Sequence, residues 1–135
     1  MVDAFDSDVL IYAAVDHMLG RPVRTLFDRV EPTQKVGIGS VVLVPEVLSK
    51  PLRDQATAEY DQLWELLTRL ELHPADEQTA ILAASLGAAY RLRGADAIHL
   101  ATAVNAGADR FITNNRSDFT PDITEIDVVY PEQLE

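Results

Sequence analysis

The sequence predicts an α/β protein built on a parallel sheet, and three observations lead there. Short apolar runs recur between longer segments of helical periodicity, the pattern of strand–helix–strand units rather than of a bundle. The first apolar run, residues 2–5, stops abruptly at Asp6-Ser7-Asp8 before apolar sequence resumes at Val9-Leu10-Ile11. That is how a buried strand delivers carboxylates to the edge of a parallel sheet, and ligands of open α/β sheets bind outside the carboxyl ends of the strands. Finally, 135 residues with 47% apolar side chains suffice for one real core and not comfortably for two, so residues 1–135 are expected to form a single domain.

The elements follow in order. Residues 2–5 make the first strand, and a helix begins at Asp8 with Ser7 or Asp8 as its cap. Residues 21–30 are a second helix, with Val23, Leu26, Phe27 and Val30 on one face, ended by Pro32-Thr33-Gln34. Val36-Gly37-Ile38-Gly39 is the second strand. Ser40 stands as the cap of the next helix, in which Pro45 fits only if it lies in the first turn, and Ser49-Lys50-Pro51 ends it. Tyr60, Leu63, Trp64, Leu67 and Leu70 fall at helical spacing and mark the clearest amphipathic helix, residues 55–70, with Tyr60 and Trp64 read as core or dimer contacts. Glu71-Leu72-His73 is a brief third strand closed by Pro74. Asp76 caps an alanine-rich helix through Tyr90, Gly94 separates it from another starting near Ala95-Asp96, and Gly107 ends that one. Arg110-Phe111-Ile112 is the fourth strand, residues 113–118 a polar loop, and residues 126–130 the fifth strand.

Composition narrows the chemistry. The absence of cysteine removes disulfides, thiolate metal sites and cysteine nucleophiles, and fits a reducing compartment. No N-terminal run suits a signal peptide or membrane span, so a soluble, cytoplasmic protein is expected. A net charge of −11 excludes a broad basic nucleic-acid face; a polyanionic substrate must meet bound cations, a local arginine cluster or a basic partner.

Four acids sit at strand ends or helix starts: Asp6, Glu46, Asp96 and Asp118. Crowded together they would repel one another strongly, and such a cluster persists only if protons or cations bind. All-oxygen ligands select hard divalent ions, Mg²⁺ or Mn²⁺, and a pair of such ions can align water and leaving oxygen in phosphodiester cleavage. Spacing alone does not bring these four together among 22 acids.

Four separated blocks resemble the PIN domain, the nuclease domain of VapC-like toxins in toxin–antitoxin modules. They are Phe5-Asp6-Ser7-Asp8-Val9-Leu10-Ile11, Ser40-Val41-Val42-Leu43-Val44-Pro45-Glu46-Val47, Asp96-Ala97-Ile98-His99-Leu100-Ala101-Thr102-Ala103 and Phe111-Ile112-Thr113-Asn114-Asn115-Arg116-Ser117-Asp118-Phe119. The resemblance implies a three-layer α/β/α fold with a parallel sheet of about five strands. It also implies an endoribonuclease in which Asp6, Glu46, Asp96 and Asp118 bind Mg²⁺ or Mn²⁺ and activate water to cut RNA. By the same resemblance Ser7 and Thr113 are hydroxyls beside the metal and Asn115 a supporting group. Many members carry an acid at the Asn115 position, which implies looser holding of a second ion here. A homodimer and a cognate antitoxin with a basic segment are the implied partners.

Several residues have two readings. Asp8 caps a helix or backs the metal ligands. His99 shares a helix face with Asp96 and touches the site, or simply packs. His17 and His73 receive no role. Arg116 contacts RNA phosphate or pairs with Asp118, and Arg53, Arg91 and Arg93 are further candidates for RNA. Two other functions compete. One is a PIN scaffold without catalysis. The other is a haloacid-dehalogenase-type phosphatase using Asp6 as nucleophile and Asp8 as acid/base, whose downstream lysine Lys35 and Lys50 supply poorly.

Overall fold

The computed structural model describes residues 1–134. Each expected strand forms, within one residue of its predicted ends: β1 (Asp3–Phe5), β2 (Gly37–Ser40), β3 (Leu70–His73), β4 (Arg110–Ile112) and β5 (Asp127–Val129). They pair in the order β3-β2-β1-β4-β5, every pairing parallel. Six helices join them: α1 (Ser7–Ala14), α2 (Arg21–Asp28), α3 (Leu43–Arg53), α4 (Thr57–Thr68), α5 (Glu77–Tyr90) and α6 (Gly94–Asn105).

Successive strand side chains face opposite ways, and here that splits the core in two. Phe5 and Ile112 join Leu10, Leu43, Val47 and Leu63 from α1, α3 and α4 on one face. Ala4 and Phe111 join Leu86, Leu100 and Phe119 on the other, where α5 and α6 pack. Three layers result. Gly37 lets β2 close on β1, since a Cβ there would lie 2.2 Å from the Asp3 carbonyl oxygen.

The strand order sets the location of the site. The chain runs outward from β1 through β2 to β3, then returns to place β4 on the other side of β1. The order therefore reverses between β1 and β4, and the crevice beyond their carboxyl ends is the expected ligand position. At the opposite end of the same strands Arg110 clamps the buried Asp3 through bonds of 2.8 and 3.0 Å, an acid occupied by structure.

Local details differ from expectation. Asp6, not Ser7 or Asp8, caps α1, accepting from Ser7 N at 2.8 Å. Ser40 is the last residue of β2 and its hydroxyl accepts from Val42 N, so α3 starts at Leu43 with Pro45 in its first turn. Pro51 does not end α3, which continues to Arg53; the ring is buried with Leu48, and that packing offsets the lost backbone donor. The inner face of α4 is Leu63, Leu66 and Leu67, while Trp64 is 46% exposed and Leu70 belongs to β3. Residue Val30 lies past the end of α2. Among the described residues no helix is long and apolar enough to cross a membrane.

Candidate active site

Each of the four acids reaches the same edge of the sheet on a different element. Asp6 follows β1, Glu46 lies in the first turn of α3 after β2, Asp96 lies in the first turn of α6, and Asp118 lies in the loop after β4. Their mutual influence on protonation joins them in one electrostatic neighbourhood. Asp96 feels Asp6, Asp118 and Glu46, and Asp6 feels Glu46. Asp8 joins them, because it feels both Asp6 and Asp96.

Asp6 is at the centre and 3% exposed. Its Oδ1 accepts from Ser7 N, and its Oδ2 accepts from the Thr113 hydroxyl at 2.7 Å. Thr113 is fully buried, and its oxygen in turn accepts from Asn115 N at 3.0 Å. The Asn115 amide donates to Asp118 Oδ2 at 3.0 Å, while its own oxygen accepts from Ser117. The loop is thus a relay of hydrogen bonds from Asp6 to Asp118, with Thr113 and Asn115 as its links. Ser7 contributes its backbone to Asp6; no side-chain bond of Ser7 enters this relay.

Burial sets the charge state of the cluster. It pushes the Asp6 carboxyl above the usual carboxylate range, against the lowering pull of Thr113 and Ser7. Burial, then Asp6, pushes Asp8 up to about 7, and burial, then Asp6 and Asp118, pushes Asp96 up to about 6. Asp8 Oδ2 accepts from Asn114 N at 3.1 Å, whereas Oδ1 is buried without a hydrogen-bond partner among the described residues. So Asp8 is no cap. It tethers the loop after β4 and leaves one oxygen free.

His99 takes both of its alternatives. It is 2% exposed and packed, and its Nε2 is hydrogen-bonded to Glu46 Oε1. Burial pulls its pKa down, but the bond to Glu46 and the fields of Asp6 and Glu46 outweigh this and raise it. Arg116 does not pair with Asp118. Its guanidinium binds Glu132 and Asn114 Oδ1 and lies 4.4 Å over the Tyr130 ring. Arg53 pairs with Asp54, while Arg91 and Arg93 flank the start of α6, exposed. His17 caps a short 3-10 turn through Nδ1, and His73 stands beside Glu71. The lysines needed by the phosphatase reading are elsewhere: Lys35 donates to the Thr68 carbonyl and Lys50 pairs with Asp54.

The donor set suits a hard divalent cation in chemistry, being all carboxylate oxygens, with one oxygen of the adjoining Asp8 buried and unpartnered among the described residues. Among the described residues no three such side chains already stand in a ligating arrangement. Glu46 is held by His99, Asp6 by Thr113 and Asp118 by Asn115.

Thr113→Val keeps the shape and removes the donor to Asp6. It is expected to cost about 1–3 kcal/mol of stability, the usual penalty for a buried acceptor left unmet, read from denaturant unfolding in EDTA. A variant as stable as the parent would show that this bond carries no weight.

Residues 4–120 match the PIN domain family. No curated protein sequence matches the chain. Among solved structures it is similar to a toxin–antitoxin complex from Klebsiella pneumoniae, at 23% identity and a TM-score of 0.73, covering 97% of this chain and 98% of that one. It is also similar to VapBC2 from Rickettsia felis bound to a promoter DNA fragment, at 15% identity and a TM-score of 0.75, covering 96% and 98%. DNA-bound VapBC from Salmonella typhimurium is similar at 19% identity, a TM-score of 0.69 and coverage of 96% and 97%. These likenesses are of fold, and they agree with the family match and with the acids gathered where β1 meets β4. The chain belongs to the PIN domain family.

Proposed function

We propose that residues 1–135 form one nuclease domain, a Mg²⁺- or Mn²⁺-dependent endoribonuclease acting as the toxin of a toxin–antitoxin pair. The observation that carries this reading is the gathering of Asp6, Glu46, Asp96 and Asp118 at the strand-order reversal. Those four would hold the cation. When bound, a divalent ion supplies Lewis acidity toward a phosphate and lowers the pKa of water beside it. Thr113 orients Asp6, Asn115 orients Asp118, and Ser7 lines the rim as a hydroxyl. Arg116 contacts RNA phosphate once released from Glu132.

A scaffold without catalysis has no use for this cluster, whose burial and repulsion cost stability in every fold that keeps it. The toxin role draws support from the fold relatives, which were solved as toxin–antitoxin complexes, and from the chain's acidity, which suits a basic antitoxin segment. A homodimer and a cytoplasmic location belong to the same proposal.

Incubating the purified chain with structured RNA in Mg²⁺, Mn²⁺ or EDTA tests the activity. Cleavage with either metal and none in EDTA is expected, and cleavage that persists in EDTA would remove the metal chemistry. RNA affinity should fall with salt, with a slope set by the number of phosphates that the arginines neutralise. Glu132→Gln frees Arg116 and is expected to tighten RNA binding a few-fold in fluorescence anisotropy with Mn²⁺ present. An unchanged or weaker affinity would remove Arg116 from the substrate contacts.

A further inference from the structure

We infer that His99 is a positioning residue for Glu46, a buried ring that holds the carboxylate toward the other acids so that a divalent cation meets a preset ligand. This rests on the cation-dependent reading of the site and adds to it the residue that orders one ligand. Glu46 comes from α3 on one face of the sheet and His99 from α6 on the other, so their bond bridges the two helical layers above the strand ends.

Four observations support the assignment. Glu46 lies in an exposed rim position, where a long side chain samples many rotamers and loses that freedom when it ligates. His99 is immobilised by packing at 2% exposure, so it can impose one orientation on its partner. Its Nε2 engages Oε1, and among the described residues Oε2 of that carboxylate has no hydrogen bond, within electrostatic reach of Asp6 and Asp96. A purely space-filling residue here would be apolar. His99 instead keeps Nδ1 buried without a hydrogen-bond partner among the described residues, a cost that leucine would not carry. Metal ligands ordered in this way typically lose about 10- to 100-fold in affinity when the ordering group is removed.

The test is Mn²⁺ titration calorimetry on the whole chain, with melting in EDTA to report folding. His99→Ala is expected to weaken Mn²⁺ binding by about 10- to 100-fold. His99→Gln, whose amide can still donate to Glu46, is expected to recover most of that loss. His99→Leu fills the space without a donor and must behave as His99→Ala does, which keeps the test open should the alanine variant fail to fold. In a Glu46→Ala background, removing the His99 donor is expected to change Mn²⁺ affinity no further. The proposal is overturned if the leucine variant binds Mn²⁺ as the parent does, or if the loss is equally large without Glu46. A parent chain that binds no Mn²⁺ overturns the cation-dependent reading itself, a result distinct from the other two.

Discussion

Replacing Asp96 by Asn is expected to lower RNA cleavage about 10³-fold while raising the melting temperature of the metal-free protein. The loss follows from the role assigned to Asp96: a Lewis-acidic cation supplies several kcal/mol of transition-state stabilisation, and each ~1.4 kcal/mol is a factor of ten. Asparagine keeps the size and one oxygen but not the charge that holds the cation. The gain follows from the cost of the acid in the folded chain. Burial, then Asp6 and Asp118, pushes its carboxyl up to about 6, so at neutral pH the fold carries an ion that it disfavours. Asp96 is partly open to water, and after screening the relief is on the order of 1–2 kcal/mol. Single-turnover cleavage with Mn²⁺ and melting in EDTA measure the two halves. Cleavage within tenfold of the parent would end the role of Asp96, and lost stability would mark it as a structural acid. Asp6→Asn should be as inactive, but it disturbs the helix cap and the Thr113 bond as well, so Asp96 gives the cleaner comparison.

The metal-free protein is expected to lose stability as pH rises through the window from about 4 to about 7, and a divalent cation is expected to restore it. Asp8 contributes to the effect, with burial and Asp6 moving its carboxyl from 3.8 up to about 7. Below its ordinary value both folded and unfolded chains hold the proton and there is no cost. Through the window the unfolded chain releases the proton while the fold retains it, so stability falls. Above about 7 the full cost is present, up to roughly 4 kcal/mol. Asp6 and Asp96, also raised, slope the same way. So does His99, whose raised pKa contributes stability at low pH that is lost as the ring deprotonates. Asp76, Glu125 and Glu132 are held low by their own hydrogen bonds, and their opposite slope falls below this window. Melting in EDTA should therefore decline from about pH 5 to about pH 8, and Mn²⁺ should raise the melting temperature more at the higher pH. A flat profile, or an equal shift by Mn²⁺ at both ends, would mean that burial and crowding do not raise these carboxyls.

Much of this was legible in one dimension. The strands stood out because short apolar runs bounded by Gly, Pro or Asp are local signals, and all five formed within a residue of expectation. Asp76 announced its helix cap for the same reason. Failures came where a partner distant in sequence decides. Trp64 satisfied the apolar period of α4, yet the buried face turned toward Leu66, because the contact with α1 and α3 fixes the rotation of the helix. Asp8 read as a cap because Ser and Asp before a helix usually are; the chain capped two residues earlier, on Asp6, and used Asp8 to tether Asn114. Arg116 offered Asp118 as a neighbour two residues away, but Glu132 and Tyr130 from the segment after β5 took it. No local signal pointed to the bond between His99 and Glu46, which spans 53 positions and two helical layers.

The sequence by itself determined the alternation of strands and helices, the parallel sheet, and the placing of acids just past strand ends or in first helical turns. Those properties depend on period, capping and charge within a few residues. Only the tertiary structure decided which of the acids share a crevice. The return of β4 to the side of β1 is a crossover, and it joins Asp6 to Thr113 by a buried hydrogen bond across 107 positions. Chain direction and periodicity carry no information about which strand a returning segment will lie beside; packing both faces of one sheet does.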